Sequence, residues 1–158
     1  MTPTFDILTF DDAAAIRAVA EWLADGSESQ IRTFLSEPQN VAIVAKLDGV
    51  VIGLMYGYVL TTFNNPRPQF FVYSVDIREG YQGRGYGTLL MRHVMDWAKG
   101  YGCCESFLLT HRHNAAACKA YEAAGMVNYC KTDDVRMYEV GFPKTQSKCK
   151  NELSVISD

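Results

Sequence analysis

Two hydrophobic periods alternate along this chain, and their order predicts its elements. Phe5 to Leu8 reads as a short first strand. Asp11-Asp12 then precede an alanine-rich helix running to about Ala24, with Ile16, Val19, Ala20 and Leu23 on one face at helical spacing. Asp25-Gly26-Ser27 interrupts it, and Glu28 to Ser36 forms a second helix that must stop before Pro38. The period then changes. Val41 to Leu47 is a strand, Asp48-Gly49 a hairpin turn, and Val50 to Thr61 the returning strand. The loop Asn64-Asn65-Pro66-Arg67-Pro68 leads into the apolar run Phe70 to Ile77. A glycine-dense turn follows, then a helix from Thr88 to Lys99, a strand from Ser106 to Thr110, and a short helix from Asn114 to Met126. Val127 to Lys131 and Val135 to Val140 are expected to pair around Asp133-Asp134. This order predicts a mixed, mostly antiparallel α/β sheet with one strand–helix–strand crossover. A single domain over residues 1–140 would be followed by a polar tail, 141–158.

Composition narrows the class. The chain has 158 residues, of which 48% are hydrophobic and 21% charged. That suits one globular domain with a sizeable core rather than a disordered segment. A formal charge of −3 argues against a general nucleic-acid binder, which needs a basic face. No apolar run approaches the roughly 20 residues of a membrane span. The first residues lack the basic and apolar parts of a secretory leader. Five cysteines without metal-ligand spacing suggest reduced thiols, no metal site and a cytoplasmic home.

The turn Gln82-Gly83-Arg84-Gly85-Tyr86-Gly87 carries the strongest chemical signal. Glycines between a strand and a helix let bare backbone N–H groups meet an anion, and the helix N-terminus adds partial positive charge. Three patterns compete for it. The dinucleotide fingerprint needs a third glycine where Thr88 stands, and the Walker pattern needs a lysine the turn does not have. The pattern Q/R-x-x-G-x-G/A is matched by Gln82, Gly85 and Gly87 without a gap. A second block lies about thirty residues on: Asn114, Ala117, Tyr121 and Gly125 at the spacing N-x-x-A-x-x-x-Y-x-x-x-G. Asn114 is a candidate N-cap and Gly125 a candidate left-handed C-cap. Taken alone, Tyr121 could equally be a helix aromatic packed in the core.

Together the two blocks resemble the GNAT superfamily of N-acetyltransferases over roughly residues 5–140. The resemblance implies a sheet whose two central strands splay apart and admit the arm of acetyl-CoA. It implies a pyrophosphate on the amides of Gln82, Gly83, Arg84, Gly85, Tyr86, Gly87 and Thr88. It places the pantetheine arm against the backbone of Val75 and Ile77 and near Asn114, and the Tyr121 hydroxyl near the thioester sulfur. Homodimers are common in the superfamily, so a homodimer is an expectation by resemblance only.

Acetyl transfer to an amine needs a proton acceptor for the amine, a held nitrogen, a donor for the oxyanion and a donor for the departing thiolate. Tyr121 suits the last role, since a phenol can donate. Backbone N–H groups near Val75 or Ile77 suit the oxyanion. Asp76 is the leading base, with Ser74 on the same side if the strand is regular, and a β-bulge here would break that parity. Asp76 can also be read as a plain solvent-facing residue. Glu79 is a nearby loop carboxylate, and His111 and His113 follow a strand end where α/β sites gather.

The segment Tyr58 to Tyr73, with its Y-V-L-x-x-F-x-x-P-R stretch, resembles the GNAT-type aminoglycoside 3-N-acetyltransferases. That family carries an aspartate after the tyrosine, where this chain has Ser74. Asp76 could replace it, or the acceptor could differ. Ser74, Asp76, Glu79, Asp133 and Asp134, with Glu139, are the candidate contacts for an amino sugar. The expected function is therefore acetylation of an aminoglycoside, with the 3-amino group as target. The open alternatives are another amine (a polyamine, an amino acid or a protein N-terminus) or a non-catalytic acyl-CoA-binding module.

Overall fold

The computed structural model describes residues 2–23 and 26–128. Its elements run β1 (Thr4–Ile7), α1 (Ala13–Trp22), α2 (Glu28–Leu35), β2 (Asn40–Leu47), β3 (Val50–Leu60), β4 (Gln69–Ile77), α3 (Tyr86–Tyr101), β5 (Glu105–Leu108) and α4 (Ala115–Ala123). The five strands form one sheet in chain order, antiparallel from β1 to β4 and parallel between β4 and β5. The parallel pair needs a crossover, and α3 supplies it.

Local chemistry fixes the ends. Asp48 and Gly49 both take positive φ, 49° and 80°, which matches the hairpin twist expected of this dipeptide. Ser27 caps α2 reciprocally: its hydroxyl accepts from the Gln30 N–H at 3.2 Å, and the Gln30 side chain accepts from the Ser27 N–H at 3.1 Å. Asn114 caps α4 by accepting from Ala117 N–H at 3.2 Å. Gly125, at φ 96°, lets Gly125 N–H reach Glu122 O and Met126 N–H reach Tyr121 O, a Schellman end.

Both faces of the sheet are buried, which is why β2 and β3 read as continuous apolar runs. Val41, Ile43 and Ala45 of β2 point to the side of α3, with Phe70, Leu90, Met91 and Val94. Ala42 and Val44 point to the opposite side, with Leu8, Ile16 and Val19 under α1 and α2. Residues two apart share a face and residues one apart do not, so one strand feeds two cores.

The sequence expectations hold with boundary shifts of one or two residues for most elements. One shift matters for the site: α3 begins at Tyr86, two residues earlier than Thr88. The glycine turn is therefore shorter, and Tyr86 and Gly87 belong to the first helical turn. The strand expected over 127–131 lies outside the described residues beyond Asn128, and Val127 and Asn128 themselves are not in a strand. The strand over 135–140, the domain boundary at 140 and the tail also lie outside them.

Candidate active site

β4 carries the site, and two features shape it. The first is a bulge. Tyr56 pairs with Ser74 and the next β3 residue, Gly57, pairs with Val72, so Tyr73 is left without a cross-strand partner. The extra residue changes which side chains face which layer. Phe70 and Val72 face α3 before it; Val75 and Ile77 face α3 after it. Ser74 and Asp76 are turned to the face of Tyr56 and Leu54. Beyond the bulge the strand is regular, so Ser74 and Asp76 do share a side, and the Ser74 hydroxyl donates to Asp76 Oδ2 at 2.6 Å.

The second feature is a split. β5 pairs with β4 from Gln69 to Val72 and no further, while β4 continues to Ile77. The splayed strands expected from the resemblance are present. Arg78 N–H donates to Ile52 O on the β3 side. Backbone groups alternate along a strand, so Val75 and Ile77 turn theirs to the open side. Ile77 O is already taken there by the Gln82 side-chain amide at 2.8 Å. Gln82 thus ties the start of the glycine turn to the end of β4.

The turn has the backbone such a site requires. Gly80, Gly83 and Gly85 have φ of 87°, 72° and 80°. A Cβ built at Gly83 or Gly85 meets nothing within 4 Å, so backbone conformation, and room for a visitor, explain these glycines better than crowding. Gly85 is the N-cap of α3, with no side-chain cap. Among the described residues, no hydrogen bond within the protein uses the N–H groups of residues 82–88. These amides and the helix dipole fit a phosphate group. Arg84 stands over the Tyr81 ring at 5.9 Å. Gly87 sits where Ile77 and Ala120 meet, with its would-be Cβ 3.7 Å and 4.0 Å from them, so β4, α3 and α4 converge there.

Tyr121 of α4 reaches this junction. It packs against the α3-side core, and burial raises its pKa, with the charge of Asp76 and then Cys118 adding to the rise. Asp76 acts on Tyr56 as well. Burial pushes Tyr56 up to about 12, helped by Tyr73, Tyr58 and Asp76 and opposed by the Ser74 hydroxyl. The charge of Asp76 is therefore felt by two tyrosines from different elements. Both phenols keep their protons through the neutral range and can donate.

Other expected residues fall elsewhere. Glu79 is exposed in the turn after β4, and His111 and His113 are exposed between β5 and α4. Asn114 spends its carbonyl on the α4 cap. Asp133, Asp134 and Glu139 lie outside the described residues. Among the described residues there is no cluster of three metal-ligating side chains. No described helix is long and apolar enough to cross a membrane. Cys103, Cys104 and Cys118 are free thiols. Tyr56 and Gly57 went unremarked in the sequence, and Tyr58 was read only as the start of the segment running to Tyr73. Their signal was an aromatic–glycine–aromatic triplet inside an otherwise aliphatic strand.

Residues 8–126 match the acetyltransferase (GNAT) family. The chain belongs to that family. Its members use acetyl-CoA as the acetyl donor. Among curated proteins, a streptothricin acetyltransferase of Streptomyces lavendulae is 27% identical over 70% of this chain and 51% of its own length. The N-alpha-acetyltransferase RimI of Mycobacterium tuberculosis is 30% identical over 58% of this chain and 54% of its own. The chain thus spans about half the length of these relatives. Among solved structures, an aminoglycoside acetyltransferase from an uncultured soil metagenomic sample, in complex with sisomicin, superposes with a TM-score of 0.71 at 15% identity, covering 92% of this chain and 97% of that one. The aminoglycoside N-acetyltransferase AAC(6')-Iy in complex with CoA gives 0.65 at 21%, covering 88% and 100%. At such identities these structures establish the fold.

Proposed function

We propose that the protein acetylates an amino group of an aminoglycoside, using acetyl-CoA and direct attack of the amine on the thioester. One observation carries the reading: β4 loses β5 as a neighbour beyond Val72, and this freed stretch bears Asp76 and runs into the uncapped glycine turn at the start of α3, beside the helix that carries Tyr121. In this reading Asp76 supplies a proton acceptor and Tyr121 a proton donor, which is what aminolysis of a thioester requires.

In this reading the amides of residues 82–88 hold the pyrophosphate, with Arg84 adding charge from the rim. The inward backbone groups of Val75 hold the pantetheine arm, together with the N–H of Ile77. Asp76 takes a proton from the incoming ammonium, and Ser74 fixes the carboxylate by donating to Oδ2, which leaves Oδ1 for the amine. Tyr121 gives its proton to the departing thiolate. Its raised pKa keeps that proton available, and the carboxylate is placed to accept while the phenol is placed to donate. An N–H group turned into the gap from β4 would meet the oxyanion.

The amino-sugar acceptor is supported by the segment Tyr58 to Tyr73, by the streptothricin acetyltransferase relative and by the aminoglycoside-bound structure of the same fold. The 3-amino position rests on the segment alone. A protein N-terminus is the second reading, favoured by the RimI relative.

The test is CoA release from acetyl-CoA with gentamicin, kanamycin, spermidine and short peptides. Turnover with gentamicin and not with peptides is the expected result. Turnover with peptides alone would replace the acceptor and keep the chemistry. Tight CoA binding without turnover of any amine would make the protein an acyl-CoA-binding module.

A further inference from the structure

The face of the sheet on which Ser74 and Asp76 lie is lined with aromatic rings. Phe34 of α2 meets Tyr56 and Tyr58 of β3 at centroid distances of 5.5 and 5.7 Å, both edge-on. Tyr73 of β4 meets Tyr56 at 5.4 Å, Tyr58 at 5.8 Å and Phe71 at 6.0 Å. Each ring is fixed by others, so little freedom remains to be lost on binding. Tyr73 is the outer ring of this set, 52% exposed, and it is the bulged residue. The extra residue pushes it out of the ladder immediately before Ser74 and Asp76.

Among the described residues the two cation–ring pairs are Arg32 with Phe10 and Arg84 with Tyr81, and neither uses a ring of this set. Among the described residues Asp76 is the acid that acts on Tyr56, and Glu79 is out in the turn. A polycationic acceptor reaching Asp76 would therefore meet the face of Tyr73. Ring faces carry negative potential and attract ammonium groups, and they also cover the C–H faces of sugar rings.

We infer that Tyr73, backed by Tyr56 and Tyr58, is the specificity-determining surface for the acceptor, holding an amino sugar by its ring face and a flanking ammonium while Asp76 takes the reacting amine. This rests on the amino-sugar reading above and adds how that sugar is recognised. It separates two contributions: the ring face sets affinity for the acceptor, and Asp76 with Tyr121 sets the rate.

The experiment compares Tyr73→Leu, which keeps apolar bulk and removes the ring, with Tyr73→Phe, which keeps the ring and removes the hydroxyl. Gentamicin binding to the CoA-loaded protein is measured by calorimetry, and KM and kcat by steady-state turnover. Tyr73→Leu is expected to weaken gentamicin binding and raise its KM about 5- to 10-fold, with kcat and the KM for acetyl-CoA unchanged. Tyr73→Phe should remain within about twofold of the parent on the same reasoning. Thermal unfolding and CoA binding establish that both variants fold. Equal binding by the parent and Tyr73→Leu would overturn the inference and leave the amino-sugar function standing. An equal loss in Tyr73→Phe would overturn it too, by assigning the contact to the hydroxyl. A parent protein that binds no gentamicin yet acetylates a peptide would remove the function and this inference with it.

Discussion

The two halves of β4 are built from the same kind of residue and do opposite things. From Gln69 to Val72 the strand has β3 on one side and β5 on the other, and its inward side chains are fully buried, Phe70 at 0% and Val72 at 2%. From Tyr73 to Ile77 it has only β3, its side chains are half-buried to exposed, and it carries a serine and a carboxylate. The first half spends its backbone groups on the sheet. The second keeps a row of them for something else, and the bulge between the halves aims Ser74 and Asp76 away from the α3-side core. A strand closed on both edges makes structure, while the same strand opened on one edge makes a binding surface.

The comparison is broken most severely at its open end. Replacing Asp76 with Asn keeps the shape and the bond from Ser74 but removes the proton acceptor. A loss of about 10²- to 10⁴-fold in kcat is expected, with CoA affinity unchanged. Steady-state turnover beside CoA titration checks this. An Asp76→Asn variant at parental rate would return Asp76 to an ordinary strand position.

Next comes the joint. A Cβ at Gly57 would stand 2.2 Å from Phe71 O and 3.1 Å from the Phe70 ring. The backbones of β3 and β4 approach too closely there for any side chain. Gly57→Ala must push the strands apart at the bulge, at a cost of about 3 kcal/mol by analogy with overpacked cores. It should also lower activity beyond what stability explains, because it re-aims Ser74 and Asp76. Denaturant unfolding and turnover on the folded fraction separate the two effects.

How much of this was legible beforehand divides along the same line. The closed half, the hairpin at Asp48-Gly49, the caps at Asn114 and Gly125 and the order of elements follow from local chemistry. Local chemistry is read over a few residues, and the chain carries it openly. The shape of the glycine turn was legible for the same reason: left-handed backbone at Gly83 and Gly85 is a property of the residue itself. The bulge was foreseeable only as a possibility, because it is set by Gly57 against Phe71, residues on different strands. The tie from the Gln82 side chain to β4 was hidden for a like reason. Its amide serves Ile77 O, a partner five residues back whose free carbonyl depends on β5 having ended. The aromatic set escaped notice because Phe34, Tyr56, Tyr58 and Tyr73 come from three elements and become neighbours only in the folded sheet.

Tyr121→Phe tests the other side of the gap and should cost less than Asp76→Asn. A thiolate is a fair leaving group unaided, since a thiol loses its proton near pH 8.5 against about 10 for a phenol. A loss near the low end of the general-acid range, about 10²-fold in kcat, is expected, with the KM for acetyl-CoA within about twofold. The alkaline limb of the parent's rate profile should also fall above the usual tyrosine range, because burial and Asp76 raise this phenol. An unchanged rate in the Tyr121→Phe variant, or a limb at or below that range, would take Tyr121 out of proton transfer.

The smallest effect belongs to Tyr56, where the open half of β4 meets the core under α2. Its phenol ionises near 10 in the unfolded chain and at about 12 in the fold, with burial the largest cause. Between those values the folded state binds more protons than the unfolded one, so stability falls as pH rises. The contribution is fully present below about 10 and is lost as pH passes through about 12. Tyr56→Phe should therefore flatten the decline in unfolding free energy across this window while changing it little at pH 7. Urea unfolding at several alkaline pH values reads the slope directly. A Tyr56→Phe variant that declines as steeply as the parent would move the alkaline sensitivity to other groups. It would also show that Tyr56 is less shielded than its place between Phe34 and Tyr73 implies.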